Sequence, residues 1–77
     1  MVKKQILVVE DKSIIAMELQ QRLQELGYLV PAVAYSGEEA IEQAAALQPD
    51  LVLMDIFLNG HLDGTRAAAY IRERFNI

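Results

Sequence analysis

Three acidic side chains of this 77-residue chain stand at the ends of two short apolar segments. Glu10 and Asp11 come directly after residues 5–9, and Asp55 comes directly after residues 51–54. If the two segments are neighbouring parallel strands, their carboxyl ends meet and the three carboxylates converge in one crevice. Such a cluster repels itself and is tolerated mainly when a divalent cation lies within it. The spacing therefore predicts an acidic metal pocket suited to phosphate chemistry.

The segments around these acids alternate between strands and helices. Residues 5–9, which are apolar from Ile6 onward, and residues 51–54 are short apolar runs typical of strands covered on both faces. A further strand is predicted over residues 29–34, and because Pro31 cannot donate to a ladder, we expect that strand at a sheet edge. Apolar residues at helical spacing and helix-boundary signals predict helices over residues 13–26, between Ser36 and Gln48, and over residues 64–75.

This alternation predicts an α/β fold with a parallel sheet and right-handed crossovers. The edge position of the second strand gives the order 2-1-3, which is how a flavodoxin-like doubly wound sheet begins. In such sheets the ligand binds beyond the carboxyl ends of the strands, where the strand order reverses. That place lies between strands 1 and 3, so the topology and the positions of Glu10, Asp11 and Asp55 predict the same site.

Residues at the helix ends predict how two of the helices are capped. Ser36 and Glu39 have the spacing of a capping box at the start of the second helix. Gly27 is expected to end the first helix. For the N-terminus of the first helix, Ser13 and Asp11 are both candidates.

Composition and charge exclude several classes of function. The net charge is −4 and the basic residues are scattered, which argues against nucleic acid as a direct partner. No apolar run approaches the roughly 18 residues that span a bilayer, and the N-terminus does not resemble a signal peptide. There is no cysteine for a disulfide or a thiolate metal site. We therefore expect one small cytoplasmic domain without membrane association.

Three motifs together resemble the start of a response-regulator receiver domain of bacterial two-component signalling. They are ILVVED at residues 6–11, PDLVLMD at residues 49–55 and IFLNGHLDG at residues 56–64. The resemblance covers the whole chain but only about three of the family's five βα units. Residues 1–77 are therefore expected to be the N-terminal part of a single receiver domain, without strands 4 and 5 and their helices.

The resemblance implies roles for individual residues. Asp55 would be the phosphoacceptor, receiving a phosphoryl group from a histidine kinase or a phosphotransfer protein. Glu10, Asp11 and Asp55 would hold Mg²⁺, with the backbone carbonyl of Phe57 as a further ligand. The domain would then be a signalling module that passes its state to an unidentified output domain or effector, not an enzyme that acts on other molecules.

Each of these assignments has a simpler alternative. Asp55 would then cap a turn, and Glu10 and Asp11 would form an exposed turn at the start of a helix. Asp63 is interpreted as the N-cap of the third helix instead of a ligand. His61, the single histidine of the chain, is interpreted as a solvated loop residue instead of a phosphodonor or ligand.

Two other functions remain open. The family's Ser/Thr after strand 4 and its Lys after strand 5 have no counterpart here, which favours a structural or dimerising module without phosphotransfer. In that case the exposed edge of strand 3 would pair with a second copy of the chain. A metal-dependent phosphatase with an Asp nucleophile is less favoured, because Phe57 stands where such enzymes carry a second acid.

Overall fold

Strands and helices alternate along the chain in the computed structural model, which describes residues 3–55, 58 and 62–77. In these residues the elements are β1 Ile6–Val9, α1 Ser13–Glu25, β2 Val33–Ala34, α2 Gly37–Leu47, β3 Leu51–Met54 and α3 Gly64–Phe75. None of these described helices has the length and apolar character needed to cross a membrane.

The three strands form one parallel sheet in the order β2-β1-β3, which confirms the predicted topology. Strand β1 pairs with β3 over its whole length, from Ile6 opposite Leu51 to Val9 opposite Met54. Because β1 lies in the middle, its four residues are all buried, which explains why its sequence is continuously apolar and does not alternate.

Two apolar layers cover the faces of the sheet. On one face, Leu7 and Val9 of β1 form a core with α2 and α3. On the other face, Ile6 and Val8 contact Leu19 and Leu23 of α1 and the segment before β2, as expected from the strict alternation of side chains along a strand. Both layers contain residues of β1, so the three helices pack around this one strand.

The second strand is shorter than the predicted run of residues 29–34. Its regular part is Val33–Ala34, and one isolated bridge, between Gln5 and Leu29, precedes it. Pro31 separates the bridge from the strand, and since proline has no N–H to donate, the ladder is interrupted there. The predicted edge position of this strand is confirmed.

The first helix begins differently from the prediction. Its N-cap is Lys12, whose side chain makes no capping hydrogen bond, so the prediction that Ser13 or Asp11 occupies the cap position is wrong. Instead, the Lys12 N–H donates to Oε1 of Glu10, at 3.1 Å. The start of α1 is therefore tied to one of the three acids after the strands.

The end of α1 follows the prediction. Gly27 adopts a left-handed φ of 98°, and its N–H donates to the carbonyl of Gln24 while the N–H of Tyr28 donates to that of Leu23. This is the hydrogen-bond pattern of a Schellman motif, in which glycine accepts the positive φ without a steric penalty.

The register between β1 and β3 is held at its start by a side chain. Oδ2 of Asp50 accepts from the backbone N–H of Gln5 at 2.7 Å, and the N–H of Asp50 donates back to the carbonyl of Gln5 at 2.9 Å. The pair closes a ring in front of the first ladder position, so that β3 cannot slide along β1 without breaking both bonds.

Replacing Asp50 tests this anchor. We expect Asp50→Ala to lower the free energy of unfolding by about 1 kcal/mol, because one solvent-exposed hydrogen bond is lost. Asp50→Asn keeps an acceptor oxygen and is expected to retain most of the stability. Chemical denaturation measures both values, and an Asp50→Ala variant as stable as the wild-type chain would contradict the proposed anchor.

Candidate metal centre

The backbone positions of the predicted site residues are set by hydrogen bonds that continue the sheet by one residue. The N–H of Glu10 donates to the carbonyl of Ala34, and the N–H of Asp55 donates to the carbonyl of Val9, both at 3.0 Å. The ladders on either side of β1 therefore extend into the residues that follow the strands. The two acids are held on neighbouring strands at the same edge of the sheet.

The three predicted acids converge. One carboxylate oxygen from each of Glu10, Asp11 and Asp55 lies within 4.8 Å of the others. The Glu10 side chain is buried, with 8% of its surface exposed, and the other two are partly buried. These acids therefore share a partly enclosed crevice, unlike the exposed turn considered as the simpler alternative for Glu10 and Asp11.

The electrostatic effect of this arrangement appears at Glu10. Burial raises the pKa of its carboxyl above the ordinary value, because a charged group is disfavoured away from water. Hydrogen bonds with the carboxyl groups of Asp11 and Asp55, together with the negative charge of Asp55, raise the pKa further. The bond donated by the Lys12 N–H acts in the opposite direction. The site thus holds more negative than positive charge.

A divalent cation fits this environment. Carboxylate oxygens are the ligands that Mg²⁺ and Ca²⁺ prefer, and one or two carboxylates suffice for Mg²⁺, which keeps several of its waters. A cation between the three groups would offset the repulsion that raises the pKa of Glu10. The fourth predicted ligand, the backbone carbonyl of Phe57, lies outside the described residues.

Asp63, the further acid considered as a ligand, has a structural role. Oδ1 of Asp63 accepts from the N–H of Arg66 at 2.9 Å, so Asp63 caps α3 as predicted. His61 lies outside the described residues.

At the start of α2, the Ser36 hydroxyl accepts from the N–H of Glu39, and the Glu39 carboxylate accepts from the N–H of Tyr35. The predicted capping box is therefore present, with its second bond one residue earlier than usual.

Two positioning features escaped the sequence analysis. The Asp50 side chain binds the backbone of Gln5, and nothing in the local pattern shows that these distant residues meet. Gly37 lies directly against Leu62 in the segment between Asp55 and α3. Its place beside a capping serine suggests only a helix start, and no sequence signal pairs it with Leu62.

The matches to known proteins agree with one another on the family. The family model of the response regulator receiver domain matches residues 6–76. The transcriptional regulatory protein PdtaR of Mycobacterium tuberculosis is 38% identical over 73 residues, which are 95% of this chain and 35% of that protein. The chemotaxis protein CheY of Thermotoga maritima is 40% identical over 53 residues, which are 69% of this chain and 44% of that protein. The chain thus spans between about a third and a half of the length of these curated relatives.

A solved structure supports the same grouping. The signal receiver domain of a modulated diguanylate cyclase from Desulfovibrio desulfuricans superimposes with a TM-score of 0.91 at 42% sequence identity. The match covers 96% of this chain and 59% of that one.

The raised pKa of Glu10 predicts how stability depends on pH without divalent cations. Between the ordinary and the raised pKa, the folded chain holds a proton that the unfolded chain has released, so stability falls as pH rises through this window. We expect Glu10→Gln, which keeps an acceptor for the Lys12 N–H, to be more stable than the wild-type chain at neutral pH. The difference should shrink as the pH falls below the ordinary glutamate pKa.

Denaturation curves at several pH values in EDTA measure this difference. The matched control is Glu42→Gln, on the exposed surface of α2, which is expected to change stability little at any pH. A Glu10→Gln variant that is less stable than the wild-type chain at neutral pH would show that repulsion and burial do not dominate at this site.

Proposed function

Because the chain belongs to the family of response regulator receiver domains, we propose that Asp55 accepts a phosphoryl group from the phosphohistidine of a histidine kinase or a phosphotransfer protein. The observation that carries this proposal is the convergence of Asp55 with Glu10 and Asp11 at the carboxyl edge of the sheet. An acidic crevice at the point where strand order reverses is where a doubly wound sheet binds its ligand.

The chemistry follows from a carboxylate nucleophile. A carboxylate oxygen of Asp55 attacks the phosphorus, the bond from phosphorus to the donor imidazole nitrogen breaks, and the bonding pair returns to that nitrogen. The product is an aspartyl-phosphate. Phosphoryl transfer needs little covalent help from the protein, so the work of the chain is positioning. The backbone bond from Asp55 to Val9 supports that role, since it fixes the nucleophile relative to Glu10.

We propose Mg²⁺ as the cation, held by Glu10, Asp11 and Asp55. The backbone carbonyl of Phe57 joins the ligand set on the strength of the family resemblance. When bound, Mg²⁺ neutralises part of the charge on the carboxylates and on the oxygens of the incoming phosphoryl group. Glu10 and Asp11 would contribute oxygens from the end of β1, where the backbone of Glu10 is held by its bond to Ala34.

In this proposal the chain is a cytoplasmic signalling module. It takes part in its own modification and does not act on a separate substrate, and its phosphorylated surface is read by an output domain or effector. The net charge of −4 fits protein partners better than direct contact with nucleic acid.

Phosphoryl uptake is tested by intact-mass measurement after incubation with Mg²⁺ and acetyl phosphate. We expect the wild-type chain to gain one phosphoryl group, and Asp55→Asn to gain none, because an amide oxygen is a poor nucleophile. EDTA should abolish the gain. The matched control is Asp63→Asn, since Asn caps a helix as well as Asp does and this acid lies outside the cluster.

The two variants separate the nucleophile from general effects of removing an acid. Uptake that survives Asp55→Asn, or that is lost equally in Asp63→Asn, would contradict the assignment of Asp55. A folded wild-type chain that binds Mg²⁺ but gains no phosphoryl group would contradict the proposed function and favour the dimerising module.

The edge of the sheet bears on that second function. In the described part of the chain β3 is an edge strand, and residues 51–54 carry no charge that would discourage pairing. Leu51 is 50% exposed. Two copies related by a twofold axis would pair their β3 strands antiparallel and cover each other's apolar edge. As the alternative to phosphotransfer, we propose a homodimer that pairs these described edges.

Leu51→Lys tests the homodimer. A lysine at the exposed start of β3 places like charges in the shared edge, so we expect a shift from dimer to monomer with little loss of the fold. Light scattering after size exclusion, over a range of concentrations, measures the shift. The control is Leu26→Lys at the C-cap of α1, which is also largely exposed but does not belong to β3. A wild-type chain that is monomeric at high concentration would refute this interface.

A further inference from the structure

Helices α2 and α3 lie side by side on one face of the sheet and carry opposite charges. Their buried residues Ala40, Ala44 and Ile71 belong to one core with β1. Helix α2 holds three glutamates and no basic residue, whereas α3 holds three arginines and one glutamate. An acidic surface therefore adjoins a basic one, in a chain whose net charge is −4.

The exposed residues of the two helices form a surface with a charged part and an apolar part. Glu38 and Glu42 are exposed one turn apart on α2, and Arg66 is exposed in the first turn of α3. Farther along both helices the exposed residues include small and aromatic ones, which are Ala45, Ala46, Ala69 and Tyr70. These residues together are named the α2–α3 surface.

The two helices start together and run in the same direction. Gly37 and Leu62 lie in direct contact, so α2 and α3 begin at similar heights. Because α2 leads from the end of β2 back to the start of β3, it runs opposite to the strands. Ile77, just past α3, lines a cavity with Leu51 at the start of β3, so α3 also runs opposite to the strands.

This alignment places complementary residues at matching heights. Counted from the contact at the helix starts, Arg66 and Glu42 are four and five residues along the chain, and Ala69 and Ala45 are seven and eight. Both helices rise by about 1.5 Å per residue, so each pair lies at nearly one height. In the part of the chain that the structure describes, no ion pair within 4.0 Å joins Arg66 to Glu42. Both charges are therefore available to a partner.

We infer that the α2–α3 surface binds the same surface of a second copy of the chain. A twofold axis along the groove between the helices places α2 of each copy against α3 of the other and leaves all heights unchanged. Arg66 of each copy then faces Glu42 of the other, and the small side chains of Ala45 and Ala69 let the helices approach closely. The inference does not rest on phosphotransfer, because the acidic cluster contributes none of these residues.

Charge reversal on either helix tests this pairing. Arg66→Glu and Glu42→Arg each turn both ion pairs of the dimer into like-charge contacts, so we expect the dissociation constant of each variant to rise roughly tenfold. An equimolar mixture of the two variants should dimerise again, because each copy then offers the charge that the other lacks. Analytical ultracentrifugation at low ionic strength measures all samples over a range of concentrations, and circular dichroism reports whether each is folded.

The matched controls are Arg22→Glu and Glu25→Arg. They make the same charge changes at exposed positions of α1, which packs on the other face of the sheet, and are expected to leave the dissociation constant unchanged. Salt gives a readout that needs no variant and holds even where a reversal prevents folding. The wild-type dimer should weaken as ionic strength rises, since exposed charges are screened.

The results separate this dimer from one that pairs the β3 edges. A dimer that persists in Leu51→Lys and responds to the reversals supports the α2–α3 surface, whereas a dimer lost in Leu51→Lys and indifferent to the reversals refutes it. A wild-type chain that stays monomeric at high concentration, a dimer insensitive to salt, or folded reversal variants that do not dimerise on mixing would each overturn the inference. Phosphoryl uptake is measured separately, so failure of the proposed function leaves these results decisive.

Discussion

The register of β1 against β3 is the constraint on which the rest of the structure depends. Ile6 lies opposite Leu51 and Val9 opposite Met54, and this alignment brings Asp55 next to Glu10 at the end of the ladder. A shift by one residue would turn every side chain of β3 to the opposite face of the sheet. It would also move Asp55 away from its place beside Glu10. Packing and the position of the site are therefore decided by the same set of hydrogen bonds.

The register is held from both ends and from both faces. Asp50 binds the backbone of Gln5 before the first pair, and the N–H of Asp55 binds Val9 after the last. Between these points, the alternating residues of β3 enter two separate apolar layers, with Val52 on the side of α2 and α3 and Leu53 on the side of α1. The strands of this short sheet therefore have a single alignment. In small domains, whose limited cores bury little apolar surface, such an alignment is otherwise difficult to stabilise.

This fixed alignment is electrostatically unfavourable at the site. Three acids are held together, and the pKa of Glu10 is raised because burial and its neighbours disfavour the charged form. The surrounding fold stabilises an arrangement that is unfavourable by itself, which is typical of sites arranged for binding or reaction. Farther along the chain, Leu62 lies directly against Gly37 at the start of α2. Strand register thus positions the acids.

Local patterns in the sequence determined most of the elements. The continuous apolar runs predicted β1 and β3, and Pro31 predicted the edge strand and so the order 2-1-3. Helix ends with a dedicated residue were also predictable. Ser36 with Glu39, Asp63, and Gly27 each act within a few residues along the chain. Short-range hydrogen bonds and backbone sterics do not require knowledge of the fold.

The tertiary structure decided whatever involves residues far apart in the chain. The sequence placed Glu10, Asp11 and Asp55 at strand ends, but only the pairing of β1 with β3 brought their oxygens within 4.8 Å and raised the pKa of Glu10. The start of α1 was mispredicted because the N–H of Lys12 binds Glu10, whose position the sheet sets. The contacts of Asp50 and Gly37 were invisible for the same reason: burial, charge proximity and steric fit depend on distances that chain spacing does not contain.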